Sequence, residues 1–451
     1  MKVGLANLPL HEVLGLYSSG SVTQRDLLES NFDRIRRLDR ELNSFITVFW
    51  EKESLKSPPK KGVLGGITVS LKDNIYASGK LTTAGSKILR RFKPAYDATL
   101  MKRLLSAGAI PVGKTNLHEF AFGVTNENPH FGACRNPWRK DRMSGGSSGG
   151  SAVSVASGMC CVSIGTDTAG SVRIPASLNG VVGYKPTYGM ISRHGVIPLS
   201  WSLDTVGFLT RCVRDAAVLA SVTFGVDGSD FLKIGAFKGR GLKRLRIGVP
   251  RNQLDPIDDD VRKNFEESLN RAEGEGARSI RIYIDNLDAV NAARNIIVHA
   301  EAASYHQPYI QKRLHDYGQD VRDRLLRGLM IPAMTYLAAQ RARRKLCTAF
   351  RAVFKEVDAL ALPTTPIPAP PIGANLVKVG DSMMDTRAAL LRFTQPFNLF
   401  GVPAISLPCG STREKLPVGL QLVGDMRQDQ KLLAIALSFE KILPQTETPP
   451  K

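Results

Sequence analysis

Apolar residues recur at helical spacing from His11 to about Asn43, where HEVLGLYSSGSVTQRDLLESNFDRIRRLDRELN reads as two amphipathic helices. Thr23 opens the second, with Asp26 three residues on to complete a reciprocal cap. The charged, proline-containing stretch Glu51 to Gly62 separates this N-terminal helical layer, at about residues 1–58, from VLGGITVSLKDN, an apolar run that predicts a strand entering the core. Past it, helical segments such as ATLMKRLLSAGA alternate with short apolar or β-branched runs, IPVGKT, CCVSIGT and LRIGVP, which is the pattern of α/β layering. Residues 224 to 245 read as loop, and about 258 to 354 as a helical lobe. LALPTTPIPAPPIG starts as a strand and runs on as an extended connection, and VPAISLPCG and LPVGLQLVG predict two core strands joined by a loop.

Composition narrows the picture only slightly. The 451 residues suffice for two or three average domains or for one large α/β unit, and 43% hydrophobic with 23% charged residues describes a chain able to bury a core. The six cysteines are scattered and Cys160 and Cys161 are adjacent, so reduced thiols and a cytoplasmic setting are expected. The N-terminus lacks the apolar core and cleavage site of a signal peptide, and no stretch has the length of a membrane helix. A net charge of +20 raises nucleic acid as a partner, but the basic residues are dispersed. The densest basic cluster, Arg341 to Lys345, has no interleaved aromatic residue and reads as a solvated helix face. Neither nucleic acid nor a membrane is expected as a partner.

The candidate chemistry lies between Ser144 and Gly189, in SGGSSGGSAVSVASGMCCVSIGTDTAGSVRIPASLNGVVGYKPTYG. A flexible linker would not be followed at once by an apolar strand-like run and a second glycine-rich turn, and the lysine of a phosphate-binding loop is missing. With VSLKDN upstream, the segments GGSSGGSA, GTDTAGSVRIPAS and GYKPTYG resemble the amidase signature family, whose members hydrolyse carboxamide C–N bonds. The likeness runs from about Asn43 through Thr115 to Trp138 and Ser192 to Arg211, and reaches FNLFGVPAISLPCG and LPVGLQLVG. It implies a single amidase domain over residues 1–451, built on one large mixed β-sheet with helices on both faces.

A serine hydroxyl needs a base to accept its proton as it attacks, and no histidine here sits in a nucleophile-elbow context. A lysine can serve if burial keeps it neutral, and Val69 and Leu71 beside Lys72 fit a buried strand end. The resemblance implies Lys72 as base, Ser147 as relay and Ser171 as nucleophile, with Gly146–Ser147 a cis peptide. It further implies that the turn Thr168, Ala169, Gly170, Ser171 offers N–H groups to an oxyanion. Ala169 stands where relatives often carry glycine, which puts a need for positive φ there in question. Thr166, Asp167, Ser148 and Arg173 are expected to support the loop, Arg173 through an ion pair or carbonyl contacts. The glycines Gly145, Gly146, Gly149 and Gly150 are expected to serve backbone geometry.

No cofactor or metal is implied. The expected partner is a small-molecule amide, with a homodimer left open. The A subunit of the tRNA-dependent glutamyl or aspartyl amidotransferases is the nearest rival, against which Glu301 to Gly328 resembles stand-alone amidases more closely.

Overall fold

The computed structural model describes residues 2–49, 60–225, 239–444 and 447–449. Most of the charged stretch Glu51 to Gly62 and the middle of the loop expected at 224 to 245 lie outside the described residues. Eleven strands form the central sheet: β1 Phe45–Val48, β2 Thr68–Lys72, β3 Ile110–Thr115, β4 Val162–Asp167, β5 Val182–Lys185, β6 Thr205–Thr210, β7 Arg246–Pro250, β8 Arg278–Ile282, β9 Ala359–Pro363, β10 Ala404–Ser411 and β11 Pro417–Val423. Their spatial order is β1-β3-β2-β4-β6-β5-β10-β11-β9-β7-β8. β2 runs parallel to both β3 and β4, whereas β10 and β11 form the antiparallel pair read from the sequence, so the sheet is mixed. The segment expected as a helical lobe is mainly helix, but it also supplies β8, which pairs in parallel with β7 at the sheet edge.

Helices cover both faces. On one side, Leu28, Phe32 and Ile35 of the helix Gln24–Leu42 pack with Val153 of Gly149–Ala156 and Ala176 of Arg173–Asn179. On the other, Leu100 of Thr99–Ser106, Leu219 of Val213–Thr223 and Leu433 of Asp429–Glu440 pack with Val69, Leu71 and Phe208. The helix Gln24–Leu42 begins at the expected capping box, with Thr23 and Asp26 each satisfying the other's backbone N–H. Asp215 holds the shorter N-terminal helix Leu10–Ser18 by accepting the N–H groups of Leu10 at 2.8 Å and His11 at 3.1 Å.

Strand alternation positions the chemistry. Val69 and Leu71 of β2 enter the large apolar core, so Ser70 and Lys72 take the opposite face, where Ser70 meets Ser154 at 3.0 Å and Ser163 at 2.7 Å. The serine-rich helix Gly149–Ala156 is wholly buried beneath the sheet. It fits because of Gly150, where a Cβ would stand 2.3 Å from the Ser44 carbonyl oxygen. Arg341, Arg344 and Lys345 are exposed on the helix Ala333–Arg351. No helix among the described residues is long and apolar enough to cross a membrane.

Candidate active site

Lys72 ends β2, Thr166 and Asp167 end β4, and the two glycine-rich turns meet over these parallel strand ends. The Lys72 ammonium nitrogen donates to Ser147 Oγ at 2.7 Å, to Thr166 Oγ1 at 2.8 Å and to the Thr166 carbonyl at 3.3 Å. Asn74 Nδ2 donates to the same threonine hydroxyl at 3.1 Å. The Gly146–Ser147 peptide is cis. The Ser147 carbonyl accepts the His118 N–H at 3.2 Å, and the Ser148 N–H donates to the Ser171 carbonyl at 3.1 Å, which ties the two serine-bearing turns together. Ser147 is fully buried and Ser171 is 4% exposed.

Burial drives the electrostatics. Removed from water, Lys72 falls from the usual lysine range to about 7, against the opposing charges of Asp167 and Asp204, so a large fraction is neutral amine near pH 7. Asp204 is itself pushed up to about 6 by burial, despite accepting the Thr168 hydroxyl at 2.6 Å and the Leu199 and Ser200 N–H groups. Asp167 behaves differently. Burial pushes it up, but the charge and hydrogen bonds of Arg173 outweigh that and hold it well below the usual carboxylate range.

The Arg173 guanidinium grips Asp167 with two bonds of 3.0 Å. Its remaining N–H groups reach the Thr394 carbonyl at 3.1 Å, Gln421 Oε1 at 2.6 Å and Asn398 Oδ1 at 2.6 Å. Asn398 in turn donates to Asp167 Oδ1 at 2.8 Å. Arg173 and Asp167 are fully buried, so this pair persists only because its lone pairs and protons are all engaged.

The network also changes the expected reading of the turn. Asp167 accepts the Gly170 N–H at 2.7 Å and the Val172 N–H at 3.1 Å. The resemblance implies that Gly170 offers its N–H to an oxyanion, but the buried carboxylate takes that donor. No hydrogen bond among the described residues engages the N–H of Thr168, Ala169 or Ser171. The positive φ in this turn falls on Gly170, at 132°, and Ala169 has negative φ. A Cβ on Gly170 would lie 2.2 Å from Thr394 Oγ1, the hydroxyl that donates to the Ala169 carbonyl at 2.7 Å. Alanine at 169 therefore carries no conformational penalty here, and glycine at 170 is required.

Lys72, Ser147, Ser148, Thr166, Asp167 and Arg173 thus converge, with Ser171 on the adjoining turn. Thr166 does more than hold its loop, because its hydroxyl accepts a hydrogen bond from Lys72. Ser148 Oγ donates to the Thr166 carbonyl at 3.2 Å. Asn74, Asp204, Thr394, Asn398 and Gln421 escaped the sequence reading, although SLKDN, SLDTVG and FNLFG carried three of them. Their types, polar residues in apolar surroundings, were the only signal available. Cys160 and Cys161 are buried core residues, as expected.

The family model described as Amidase matches residues 26–433. The A subunit of the glutamyl-tRNA(Gln) amidotransferase from Pseudothermotoga lettingae is 38% identical over 452 residues, covering 93% of this chain and 94% of that protein. Among solved structures, one described as an amidase superposes with a TM-score of 0.90 at 36% identity, covering 97% of this chain and 100% of the other. The corresponding amidotransferase polypeptide of Thermotoga maritima superposes with a TM-score of 0.84 at 37% identity, over 98% of this chain and 96% of that one. With a matching family model over most of its length and relatives above one third identity, the chain belongs to the amidase signature family and is an amidohydrolase.

Proposed function

We propose that the chain cleaves a small carboxamide through an acyl-enzyme on Ser171, with Ser147 as relay and Lys72 as base, the whole chain acting as one catalytic domain. The observation that carries this reading is the 2.7 Å contact between Lys72 and Ser147, made by an amine that burial brings to a pKa of about 7. As Ser171 Oγ bonds to the amide carbon, its proton passes through the Ser147 hydroxyl to neutral Lys72. Thr168 and Ala169 N–H groups stabilise the developing oxyanion. The tetrahedral centre then expels the amine, which takes the proton back along the same path. Water repeats the sequence in reverse, giving the free acid and restoring Ser171. Thr166 and Asn74 hold the Lys72 amine in line with Ser147, and the Arg173–Asp167 pair fixes the turn.

The names of the curated relatives weigh the choice of amide toward glutamine, and therefore toward the ammonia-releasing component of an amidotransferase, over the stand-alone amidase expected from Glu301 to Gly328. In the structure that segment does packing work: Glu301 accepts the Ser200 and Ser202 hydroxyls at 2.6 Å each. Six free cysteines support a reducing compartment such as the cytoplasm. The test is ammonia release from glutamine and from a panel of neutral and aromatic amides, by the purified chain alone and with the other subunits of a bacterial amidotransferase. Turnover of glutamine only when those subunits are present supports the amidotransferase role, and turnover of other amides by the chain alone supports the stand-alone role. A slow substrate trapped as an acyl adduct and located by peptide mass spectrometry reads the nucleophile; an adduct on any residue but Ser171 overturns the relay.

A further inference from the structure

Outside the relay, the N-terminal helix Leu10–Ser18 and the start of the helix Val213–Thr223 bring three metal-ligating side chains together, His11, Cys212 and Asp215. His11 Nδ1 lies 2.9 Å from Asp215 Oδ1 and 3.6 Å from Cys212 Sγ, and the three ligand atoms all fall within 4.8 Å of one another. Both neighbours approach the same imidazole nitrogen, and Asp215 Oδ1 also accepts the His11 backbone N–H at 3.1 Å. Glu440 stands beside them, its carboxylate accepting the N–H of Val213 at 2.7 Å. A cavity of about 450 Å³ reaches the Cys212 edge of the cluster, with Asn7, Pro9, Arg211 and Glu440 also in its lining.

From this juxtaposition we propose a zinc site formed by His11, Cys212 and Asp215, with Glu440 or a water from the cavity as fourth ligand. A tetrahedral zinc with bonds of about 2.0 Å to nitrogen and 2.3 Å to sulfur holds those two atoms about 3.5 Å apart, close to the separation found. The same geometry sets nitrogen and carboxylate oxygen about 3.3 Å apart, so Nδ1 and Oδ1 need only part by a few tenths of an ångström as their shared proton leaves. A thiolate with an imidazole and a carboxylate suits zinc, where an all-oxygen set would suit calcium or magnesium. Zinc ligation takes the Cys212 thiolate, so binding displaces the thiol proton to solvent. Bound zinc would clip the helix Leu10–Ser18 to the body of the protein at a place where Asp215 already caps it.

The test uses the full chain, stripped with a chelator and titrated with cobalt(II) as a spectroscopic probe and then with zinc. The expected result is one equivalent of cobalt with a sulfur-to-metal charge-transfer band, displaced by zinc, and a zinc-dependent rise in melting temperature. Cys212→Ser should remove the band, and His11→Gln should weaken binding at least ~10-fold. Both positions are partly exposed, and near-ultraviolet circular dichroism shows whether each variant has folded. Absence of a charge-transfer band in the wild-type chain, or a band that persists in Cys212→Ser, overturns the site. Neither result touches the relay, which shares no residue with it.

Discussion

Replacing Lys72 with methionine separates the cost of burying the base from its use. In the folded chain Lys72 has a pKa of about 7, against 10.5 for an ordinary lysine. The unfolded chain therefore holds more protons than the folded one between those values, and wild-type stability rises with pH through that window. The deficit amounts to about 4 kcal/mol at about pH 7 and about 2 kcal/mol at about pH 9. It is fully present below the folded value and fades as pH approaches that of a free lysine. Methionine has no such deficit. It forfeits the bonds to Ser147 and Thr166, worth roughly 1 kcal/mol each, but that loss is the same at every pH within the window. Urea denaturation of both proteins across this range should show the wild type gaining about 2 kcal/mol more than Lys72→Met on going from about pH 7 to about pH 9. Ammonia release by the variant should be lost at every pH. Equal stability slopes would show that Lys72 stays charged when folded and would refute a neutral lysine base.

The remaining predictions concern its neighbours. Ser171→Ala should abolish turnover while leaving the melting temperature near that of the wild type, checked by an ammonia assay and calorimetry. Asp204→Asn removes a buried negative charge that raises Lys72, so the acid limb of kcat against pH should move to lower pH; movement upward would contradict the assigned coupling. Gly170→Ala places a methyl 2.2 Å from Thr394 Oγ1 at a φ of 132°, and should cost about 2 to 4 kcal/mol in denaturant titration. Arg173→Met strands Asp167 without its partner and should cost about 3 to 5 kcal/mol, with Arg173→Met paired with Asp167→Leu recovering part of it.

The sequence alone determined those features set by local rules. Thr23 and Asp26 announce a helix start because a capping box closes within four residues, and β2 is legible because Val69 and Leu71 alternate with Ser70 and Lys72. The motif residues Lys72, Ser147 and Ser171 were legible through resemblance, since the glycine-rich turns that carry the two serines are short and densely constrained. What contacts are made across the chain only the tertiary structure decided. Asp167 looked like a loop support, and only the arrival of Arg173, Asn398 and its own turn's backbone showed that it consumes the Gly170 N–H. Asp204 lies 36 residues from Thr168, and its grip on the Thr168 hydroxyl exists because the end of β4 lies beside the start of β6. The lowered pKa of Lys72 belongs to the same class. A lysine in an isolated strand is fully hydrated, and it becomes a base near neutral pH only when the folded chain removes that water.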